Sequence, residues 1–542
     1  MRLFNKTRFF LLLIIIISTA LRIFYLGKIP NGFYSDEAAY GYNAYSLLKT
    51  ARDEYGSFLP VAFKSFGDYK APLYIYFMVP FIGVFGLTEW SVRFSAAVLG
   101  IGSIILIYYL TRELFKKQSL ALLSALFASI SPFSLQFNRM AHENNLVVFL
   151  ILLGLVFFIK SLKSANYIFL SITAFILSIY TYHDARIFTP LFILALIVIY
   201  RRQLNLLKKK LLWGLLLALL LLLPFINLLR TDAFWSRPKF TIISSDPGIG
   251  LRINDERGED IKTQFFSPTL FHNKVISYTL TFMDNYFKHY SFNFLFLMGD
   301  PVKIYQTVGN GILYLITLPF IIYGIYYLFR YNLNHKWLIF SWLILAPVPS
   351  ALTRFVPSAS RIFSIQPVFA ILTSLGLYGS LKIINNLKIK RLYIKIIVLL
   401  LSINIAYYLH YYYFNTNLRY AKEWHFGMKE VIAEVEKRQD NFAQVWFSKN
   451  AWGYSYPLFY LKYPPEKYQT QARLTALNQF GFGWVDSFDK YIFADIGDIS
   501  KLSSNTLYVG APQDFANIKK PLYTVYYPDG QVAFYLVDKS SF

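Results

Sequence analysis

Two adjacent carboxylates, Asp36 and Glu37, are the first acidic residues of the chain and follow its first long apolar run. A carboxylate beside a membrane can take a proton from an acceptor hydroxyl, and such general-base catalysis typically contributes about 10²–10⁴-fold in rate. The pair also fits the start of a helix, because Ser35 and Asp36 precede a helical pattern and both residue types favour the N-cap. The residues alone leave both interpretations open.

A lysine and an aspartate form a second candidate group. Asp68 and Lys70 precede Pro72 and an apolar, aromatic stretch that continues to Val84. Helices of this composition lie in the headgroup region of a membrane, where a cation such as Lys70 can bind a lipid phosphate. An ordinary interfacial lysine that pairs with Asp68 has the same pattern, so this assignment also stays open.

Arginine, histidine and acidic residues stand where apolar runs end. The guanidinium binds phosphate through a fork of donors, although a single arginine at the end of a span also snorkels or forms an ion pair. The residues with this placement are Arg93, Arg139, His142, Glu143, His183, Asp184, Arg186, Arg354 and Arg361.

Metal and cofactor sites have little support in the sequence. His142-Glu143 and His183-Asp184 are adjacent pairs, and neighbours in sequence do not face the same side of a helix. The chain has no cysteine and no HExxH, P-loop or GxGxxG motif, which excludes thiolate chemistry and gives no support for a nucleotide site. We therefore predict neither a metal nor another cofactor.

The composition is that of a polytopic α-helical membrane protein. Of the 542 residues, 56% are hydrophobic and 19% aromatic, and only 15% are charged, where about 25% is usual in soluble proteins. Apolar runs of about 17–22 residues match the thickness of a bilayer. Eleven spans are predicted, at about 9–26, 90–110, 118–135, 145–160, 166–182, 187–200, 211–230, 309–329, 337–352, 361–381 and 394–412.

The basic residues predict the orientation of these spans in the plasma membrane. With the N-terminus in the cytoplasm, the inner segments carry 20 Lys and Arg and one acid, Glu113, in agreement with the positive-inside rule. Much of the net charge of +24 is therefore a topology signal, and no nucleic-acid partner is predicted. The first run has no clear cleavage site after it and is predicted to stay as a span. The loops 27–89 and 231–308 and the C-terminus then lie outside the cell.

Further structure is predicted in these outer loops and after the last span. Interfacial helices are expected at 36–49 and 72–84 in the first loop and at 270–289 in the second. Residues 413–542 are polar enough for a small extracytoplasmic α/β domain, separate from a transmembrane domain 1–412. Within it, apolar spacing predicts a helix over 417–438, and Pro528-Asp529-Gly530 predicts a hairpin between two strands.

The order of these motifs resembles a known family. The relevant stretches are the Asp-Glu pair, the Lys-x-Pro-Leu-Tyr sequence at 70–74, the Trp-Ser-Val-Arg-Phe sequence at 90–94, residues 294–300 and Ser360-Arg361. They are similar to those of the bacterial protein-O-mannosyltransferase-like membrane glycosyltransferases. That family and the aminoarabinose transferases are part of the C-type glycosyltransferase superfamily. The resemblance covers roughly residues 1–410.

The resemblance implies a transferase that takes a sugar from a polyprenyl-phosphate donor on the outer face, commonly with inversion. The family's first-loop acid acts as base and corresponds to Asp36, and its neighbour Glu37 is predicted as a second catalytic residue. The acceptor stays open between protein, lipid and glycan, and the C-terminal domain, the variable part of the family, is expected to help choose it. Lys70, Arg139 and Arg361 are predicted to bind the donor phosphate, and Asp68, His142, Glu143 and Arg186 to bind substrate.

Two other functions remain as alternatives. A lipid or sugar transporter or flippase would place polar residues near the middle of spans, within paired and broken helices. Here the polar residues stand at span ends, and no internal repeat is evident. A non-catalytic anchor that displays residues 413–542 would require neither eleven spans nor a polar outer face.

Overall fold

The chain is helical up to residue 419 and continues as a β-sheet domain, over the residues that the computed structural model describes: 2–66, 68–264, 266–476, 483–497 and 503–542. One short hairpin, β1 (Phe63–Ser65) and β2 (Asp68–Lys70), interrupts the helical part. The helices of this part are α1 (Arg2–Ile23), α2 (Ser35–Thr50), α3 (Leu73–Phe85), α4 (Glu89–Phe115), α5 (Gln118–Ile130), α6 (Pro132–Asn138), α7 (Asn144–Ser161), α8 (Tyr167–Ile179), α9 (Ala185–Ile199), α10 (Arg201–Asn205), α11 (Lys208–Leu228), α12 (Asp232–Thr241), α13 (Pro247–Lys262), α14 (Pro268–Phe271), α15 (Lys274–Lys288), α16 (Leu318–Arg330), α17 (Lys336–Leu345), α18 (Val348–Ala351), α19 (Gln366–Ile383), α20 (Leu387–His410) and α21 (Thr416–Arg419).

The apolar runs of the sequence form helices, as predicted. Five helical segments of the described residues are long and apolar enough to cross a membrane: Glu89–Phe115, Asn144–Ser161, Lys208–Leu228, Phe363–Ile383 and Leu387–Arg419. A sixth results if α5 and α6, which are bent by 58°, form one span, and five further apolar helices are shorter, with 10–17 residues. The membrane-helical class is therefore confirmed, whereas the number of eleven spans and their orientation stay predictions.

The chain folds into two compact units. The first comprises Met1–Thr7, Ile105–Phe133 and Leu150–Leu401. The second comprises Arg8–Ile104, Ser134–Phe149 and Ser402–Phe542, so the first loop and the C-terminal domain are parts of one unit. The domain boundary between residues 412 and 413 stays a prediction.

A mixed sheet forms the C-terminal part of the second unit. Its central strand β3 is parallel to β6 and β7, and the other pairs are antiparallel, in the order β4-β5-β6-β3-β7-β9-β8. The elements of this part are α22 (Met428–Arg438), β3 (Gln444–Phe447), α23 (Ser455–Tyr460), α24 (Pro465–Gln471), β4 (Arg473–Leu474), β5 (Val485–Phe488), β6 (Tyr491–Phe493), β7 (Thr506–Gly510), β8 (Tyr523–Tyr526) and β9 (Val532–Val537).

Of the two elements predicted for this part, the structure confirms one and contradicts the other. The hairpin around residues 528–530 is confirmed, because β8 pairs antiparallel with β9. The continuous helix over 417–438 is wrong, because α21 ends at Arg419 and α22 begins only at Met428. The intervening turn contains His425 at φ 55° and Gly427 at φ 93°, left-handed conformations that a helix cannot include.

Two glycines bring α16 and α19 into backbone contact within the first unit. A Cβ on Gly324 would lie 2.0 Å from the carbonyl oxygen of Leu372, and a Cβ on Gly376 would lie 1.9 Å from that of Phe320. Helices in membranes associate through such small residues, since a close approach increases van der Waals contact where the hydrophobic effect is lacking.

We expect Gly376→Ala to destabilise the protein by about 1–3 kcal/mol, since the new methyl group forces the two helices apart. Thermal unfolding in detergent measures this effect. Gly250→Ala in α13 is the matched control, because no atom lies within 4 Å of its Cβ position. Equal melting temperatures for the two variants would contradict the close packing of α16 on α19.

Candidate active site

The Asp36 carboxylate lies in the first turn of α2 and forms an ion pair with Lys70. Lys70 Nζ is 2.6 Å from Asp36 Oδ1, and the lysine side chain is 6% exposed while that of Asp36 is 39% exposed. The β1–β2 hairpin, in which Phe63 pairs with Lys70, brings the lysine to a carboxylate that is 34 residues distant in the chain. The ring centroid of Tyr40 is 4.8 Å from the ammonium, a distance typical of a cation–π contact. A buried cation thus meets an accessible carboxylate.

Glu37, the neighbour of Asp36, is buried and fully hydrogen-bonded. Its Oε1 accepts from Arg93 Nε at 3.0 Å and from the amide of Ala141 at 2.9 Å. Its Oε2 accepts from Arg93 Nη2 at 2.9 Å and from the amide of Tyr34 at 3.3 Å. Both charged side chains are 0% exposed, and the arginine also donates to the carbonyl oxygens of Leu26, Pro30 and Gly32. This bidentate pair holds the start of α2 against α4 and thereby fixes the position of Asp36.

A third acid, Glu54, lies in a buried network with the hairpin that carries Lys70. The hydroxyl of Tyr454 donates to Glu54 Oε1 at 2.7 Å and accepts from the amide of Phe66, in the turn of the hairpin, at 3.1 Å. The side chain is 0% exposed, and Oε2 has no hydrogen-bond partner among the described residues. Burial raises the pKa of Glu54 to about 8, and the Tyr454 hydrogen bond and the charge of Lys70 oppose this rise. The carboxyl is therefore protonated in the folded protein at neutral pH.

Glu54 is expected to make folding stability depend on pH. Because its folded pKa of about 8 lies above its ordinary value of 4.5, the stabilisation is complete below about pH 4.5 and is lost as the pH rises to 8. Melting temperatures measured from pH 5 to pH 8.5 should fall less steeply for Glu54→Gln than for the wild-type protein. The exposed Glu430→Gln is the control and should keep the wild-type slope. Parallel curves for all three proteins would show that Glu54 is ionised in the fold.

Arg139 donates hydrogen bonds to the carboxyl-terminal end of the first helix, α1. It is 1% exposed, and its Nε donates to the Tyr412 hydroxyl at 3.1 Å. Its two terminal nitrogens donate to the carbonyl oxygens of Leu21, Phe24 and Ile29, which follow or end α1. These bonds stabilise the carbonyl end of a helix. The predicted contact of Arg139 with a donor phosphate stays a prediction that would require some of these bonds to break.

His142 and Glu143 are both buried between α6 and α7. They are 6% and 4% exposed, respectively. His142 Nδ1 accepts from the amide of Asn144 at 3.2 Å and lies 3.7 Å from Glu143 Oε2. Asp68, also predicted to bind substrate, lies at the start of β2, where its Oδ1 accepts from the amide of Tyr69. The substrate contacts of these three residues stay predictions.

Arg186 and Arg361 lie in the first unit. The Arg186 guanidinium stacks on the rings of Phe225 and Phe234, and its buried Nε has no hydrogen-bond partner in the described part of the chain. Arg361 Nη1 donates to Thr353 Oγ1 at 2.5 Å and to the Phe355 carbonyl oxygen at 2.9 Å. The buried Asp300 nearby has its pKa raised to about 6 by burial, an effect that the charge of Arg361 opposes. The predicted contacts of both arginines with substrate stay predictions.

The described residues contain no group of three or more His, Cys, Asp or Glu that could hold a metal ion. His142 and Glu143 form one pair in the second unit, and His183 and Asp184 form another in the first. The expectation that the reaction uses neither a metal nor another cofactor stays a prediction.

Three residues of the site were not predicted as such from the sequence. Arg93 was noted only as an arginine at a span end, although the Trp-Ser-Val-Arg-Phe motif around it could have marked it as the partner of Glu37. Tyr40 lies in the predicted helix 36–49, and nothing in the sequence indicates that its ring covers a cation. Glu54 follows Asp53 in a loop, and nothing in its sequence neighbourhood indicates burial.

The comparisons with known proteins agree with the motif resemblance. Residues 69–227 match the model of the dolichyl-phosphate-mannose-protein mannosyltransferase family. The chain is 29% identical over 172 residues to YycA of Bacillus subtilis (strain 168), which is named as a candidate mannosyltransferase. This match covers 31% of the present chain and 24% of YycA, so the chain matches about a quarter of the length of this relative.

Two crystal structures of ArnT from Cupriavidus metallidurans share the fold over nearly the whole chain. The apo structure has a TM-score of 0.55 at 12% identity and covers 100% of this chain and 99% of ArnT. The structure bound to undecaprenyl phosphate has a TM-score of 0.55 at 13% identity, with 97% of each chain covered. Identities this low show a common fold only. Together with the family match, they confirm the resemblance that the motifs indicate: residues 69–227 are similar to the protein mannosyltransferases, and the fold is similar to that of ArnT.

Proposed function

We propose that the chain is a membrane glycosyltransferase that transfers a sugar from a polyprenyl-phosphate-linked donor to an acceptor hydroxyl, with Asp36 as the general base. The observation that carries this proposal is the pair of an accessible Asp36 carboxylate and a buried Lys70 ammonium 2.6 Å apart. The match to a family named for a dolichyl-phosphate-mannose donor supports the donor class. So does the fold shared with ArnT, which binds undecaprenyl phosphate.

The reaction is a single displacement at the anomeric carbon of the donor sugar. The acceptor oxygen forms a bond to this carbon while its proton passes to the Asp36 carboxylate. The bond between the anomeric carbon and the phosphate oxygen breaks, and its electron pair leaves with the polyprenyl phosphate. Attack from the face opposite the phosphate inverts the anomeric centre, by the logic that governs inverting glycosidases.

Lys70 supplies positive charge where the leaving phosphate becomes more negative. Its ammonium is buried and held by the hairpin, so little reorganisation is needed when the charge develops. Before the donor binds, Lys70 neutralises Asp36. A donor phosphate that competes for the ammonium releases the carboxylate, which then becomes the stronger base.

Glu37 and Arg93 position these groups without contact to substrate. All four hydrogen bonds accepted by Glu37 come from protein donors, and both residues are 0% exposed. Glu143, His142, Asp68, Arg186 and Arg361 are proposed to contact substrate as the sequence predicts, and Arg139 to stabilise α1. In the predicted orientation, the reaction takes place on the outer face of the plasma membrane.

The test is transfer of labelled sugar. Purified protein in nanodiscs receives polyprenyl-phosphate mannose labelled in the sugar, together with the cell-envelope fraction of the producing strain. Label is expected in a glycoconjugate that mass spectrometry finds only when the protein is present. NMR of the new linkage should show the anomer opposite to that of the donor. Movement of the labelled lipid across a bilayer without any glycosyl product would instead establish the flippase alternative.

A further inference from the structure

Two residues of the sheet domain, His425 and Trp452, lie next to the segment that leads to Asp36. The imidazole stacks on the indole, with ring centroids 4.1 Å apart and an angle of 8° between the planes. Tyr34, two residues before Asp36, places its ring 4.8 Å from the imidazole. All of these residues belong to the second unit, and both His425 and Trp452 are half-buried. We refer to the stacked pair as the His–Trp shelf.

The backbone holds this shelf in an unusual conformation. His425 and Trp452 each have a φ of 55°, in the left-handed region; histidine adopts it more often than most residues, whereas a bulky side chain such as that of Trp452 rarely does. Such conformations persist only where the surroundings enforce them, and they concentrate at ligand-binding positions. The surroundings here are tight, because a Cβ on Gly32 would lie 2.4 Å from the carbonyl oxygen of Trp424. The turn before the shelf is thus fixed against the loop that leads to Asp36.

The hydrogen bonds around His425 determine which ring nitrogen carries the proton. The Tyr456 hydroxyl donates its only proton to the carbonyl oxygen of Phe33 at 2.8 Å. In the 2.6 Å contact between His425 Nδ1 and the Tyr456 oxygen, the imidazole must therefore donate. Burial lowers the pKa of His425 to about 3, an effect that the charge of Asp36 partly opposes, so the ring is neutral. Nε2 is then a bare hydrogen-bond acceptor.

The His–Trp shelf accordingly offers one acceptor and one donor. The acceptor is His425 Nε2, and the donor is the indole N–H of Trp452. Neither nitrogen has a hydrogen-bond partner among the described residues. Neither of them belongs to the polar atoms of these residues that are both fully buried and without a partner. Both nitrogens therefore reach the surface, and both are uncharged.

We propose that the His–Trp shelf binds the acceptor substrate, and that this acceptor is a neutral saccharide whose hydroxyl it directs to Asp36. This inference rests on the proposed function. A sugar hydroxyl both donates and accepts, so neighbouring hydroxyls satisfy Nε2 and the indole N–H together. The pair offers no countercharge to an ionic acceptor, and a hydrocarbon acceptor leaves both groups unpaired.

Two substitutions of His425 separate its two nitrogens. His425→Asn keeps an amide near the position of Nδ1, where it can still donate to Tyr456, and has no atom at the position of Nε2; asparagine also tolerates the left-handed backbone. His425→Gln reaches the position of Nε2 with its amide. Trp452→Phe removes only the indole N–H and keeps an aromatic ring. Melting temperatures near the wild-type value identify the variants that are suitable for kinetics.

The assay uses polyprenyl-phosphate mannose as donor and methyl mannoside as a simple saccharide acceptor at varied concentration. We expect His425→Asn to raise the KM for methyl mannoside about 10–100-fold and to leave the donor KM at its wild-type value. His425→Gln should recover part of this loss, and Trp452→Phe should raise the acceptor KM by a smaller factor. A purely structural role of His425 would instead change the donor KM and the melting temperature together.

The outcomes distinguish the inference from the function on which it rests. If the wild-type protein transfers label to a serine-containing peptide and not to methyl mannoside, the saccharide class is wrong and the transferase function stands. An unchanged acceptor KM in a folded His425→Asn protein overturns the role of the shelf. If the wild-type protein transfers label to no acceptor, the proposed function fails, and the inference fails with it.

Discussion

Asp36→Asn is expected to lower the rate of sugar transfer by about 10²–10⁴-fold, the usual contribution of a general base. The amide has the shape of the carboxylate and keeps an oxygen near Lys70, but it cannot take the proton of the acceptor hydroxyl. The replacement leaves Lys70, whose side chain is only 6% exposed, without its countercharge, so some loss of stability is expected and the melting temperature of the variant is measured together with its rate. Initial rates with labelled polyprenyl-phosphate mannose measure the effect.

Two controls accompany this variant. Asp36→Glu keeps a carboxylate on a longer side chain and should retain more activity than the asparagine variant. Asp529→Asn removes an exposed acid in the β8–β9 turn and should transfer sugar at the wild-type rate. Full activity of a well-folded Asp36→Asn protein would exclude Asp36 as the base, even if the protein is a glycosyltransferase.

Arg93→Met is expected to have the largest effect on stability, about 3–5 kcal/mol. The substitution leaves the carboxylate of Glu37 buried without its countercharge, and the carbonyl oxygens of Leu26, Pro30 and Gly32 lose their donor. Removing one partner of a buried ion pair lowers the free energy of unfolding far more than an exposed ion pair raises it. Unfolding in detergent, followed by heat or denaturant, measures the loss.

The double variant Glu37→Gln with Arg93→Met shows whether the loss comes from the pair. Arg93→Met leaves the Glu37 carboxylate unpaired, and Glu37→Gln removes that charge. The double variant should therefore be more stable than the sum of the single effects predicts. Arg112→Met in the same helix α4 is the control; its side chain is 39% exposed, and its loss should cost less than about 0.5 kcal/mol. Strict additivity would show that Arg93 and Glu37 act independently.

The helices were predictable because long apolar runs have few alternatives. Each predicted span contains helical structure, although 309–329 becomes helical only near Leu315, and the turn residues before Val532 predicted the last hairpin. The prediction failed at 417–438, where the spacing of apolar residues continues through a turn at Gly427. Periodicity records which residues are buried, and residues on both sides of a turn can be buried against the same core.

The chemistry of the site was predictable in kind but not in arrangement. Asp36 and Lys70 were selected by residue type and by resemblance, yet the two-strand hairpin that joins them was not foreseen, since each of its strands has only three residues. The sequence also could not tell which acid of the pair is accessible. That difference depends on Arg93, 56 residues away from Glu37. His425 belongs to no sequence motif, and its importance depends on contacts with two distant segments, one at Tyr34 and one at Trp452 and Tyr456.

The accessibility of Asp36 has a consequence for the proton that it takes up in each reaction. With 39% of its side chain in contact with solvent, the carboxylate can return this proton directly to bulk water before the next donor binds. No relay through the protein interior is required for the base to be restored. The acidity that matters for turnover is therefore that of the compartment into which the loop 27–89 opens. In the predicted orientation that compartment is the cell exterior, and an acidic medium should slow the enzyme even when the cytoplasm stays neutral.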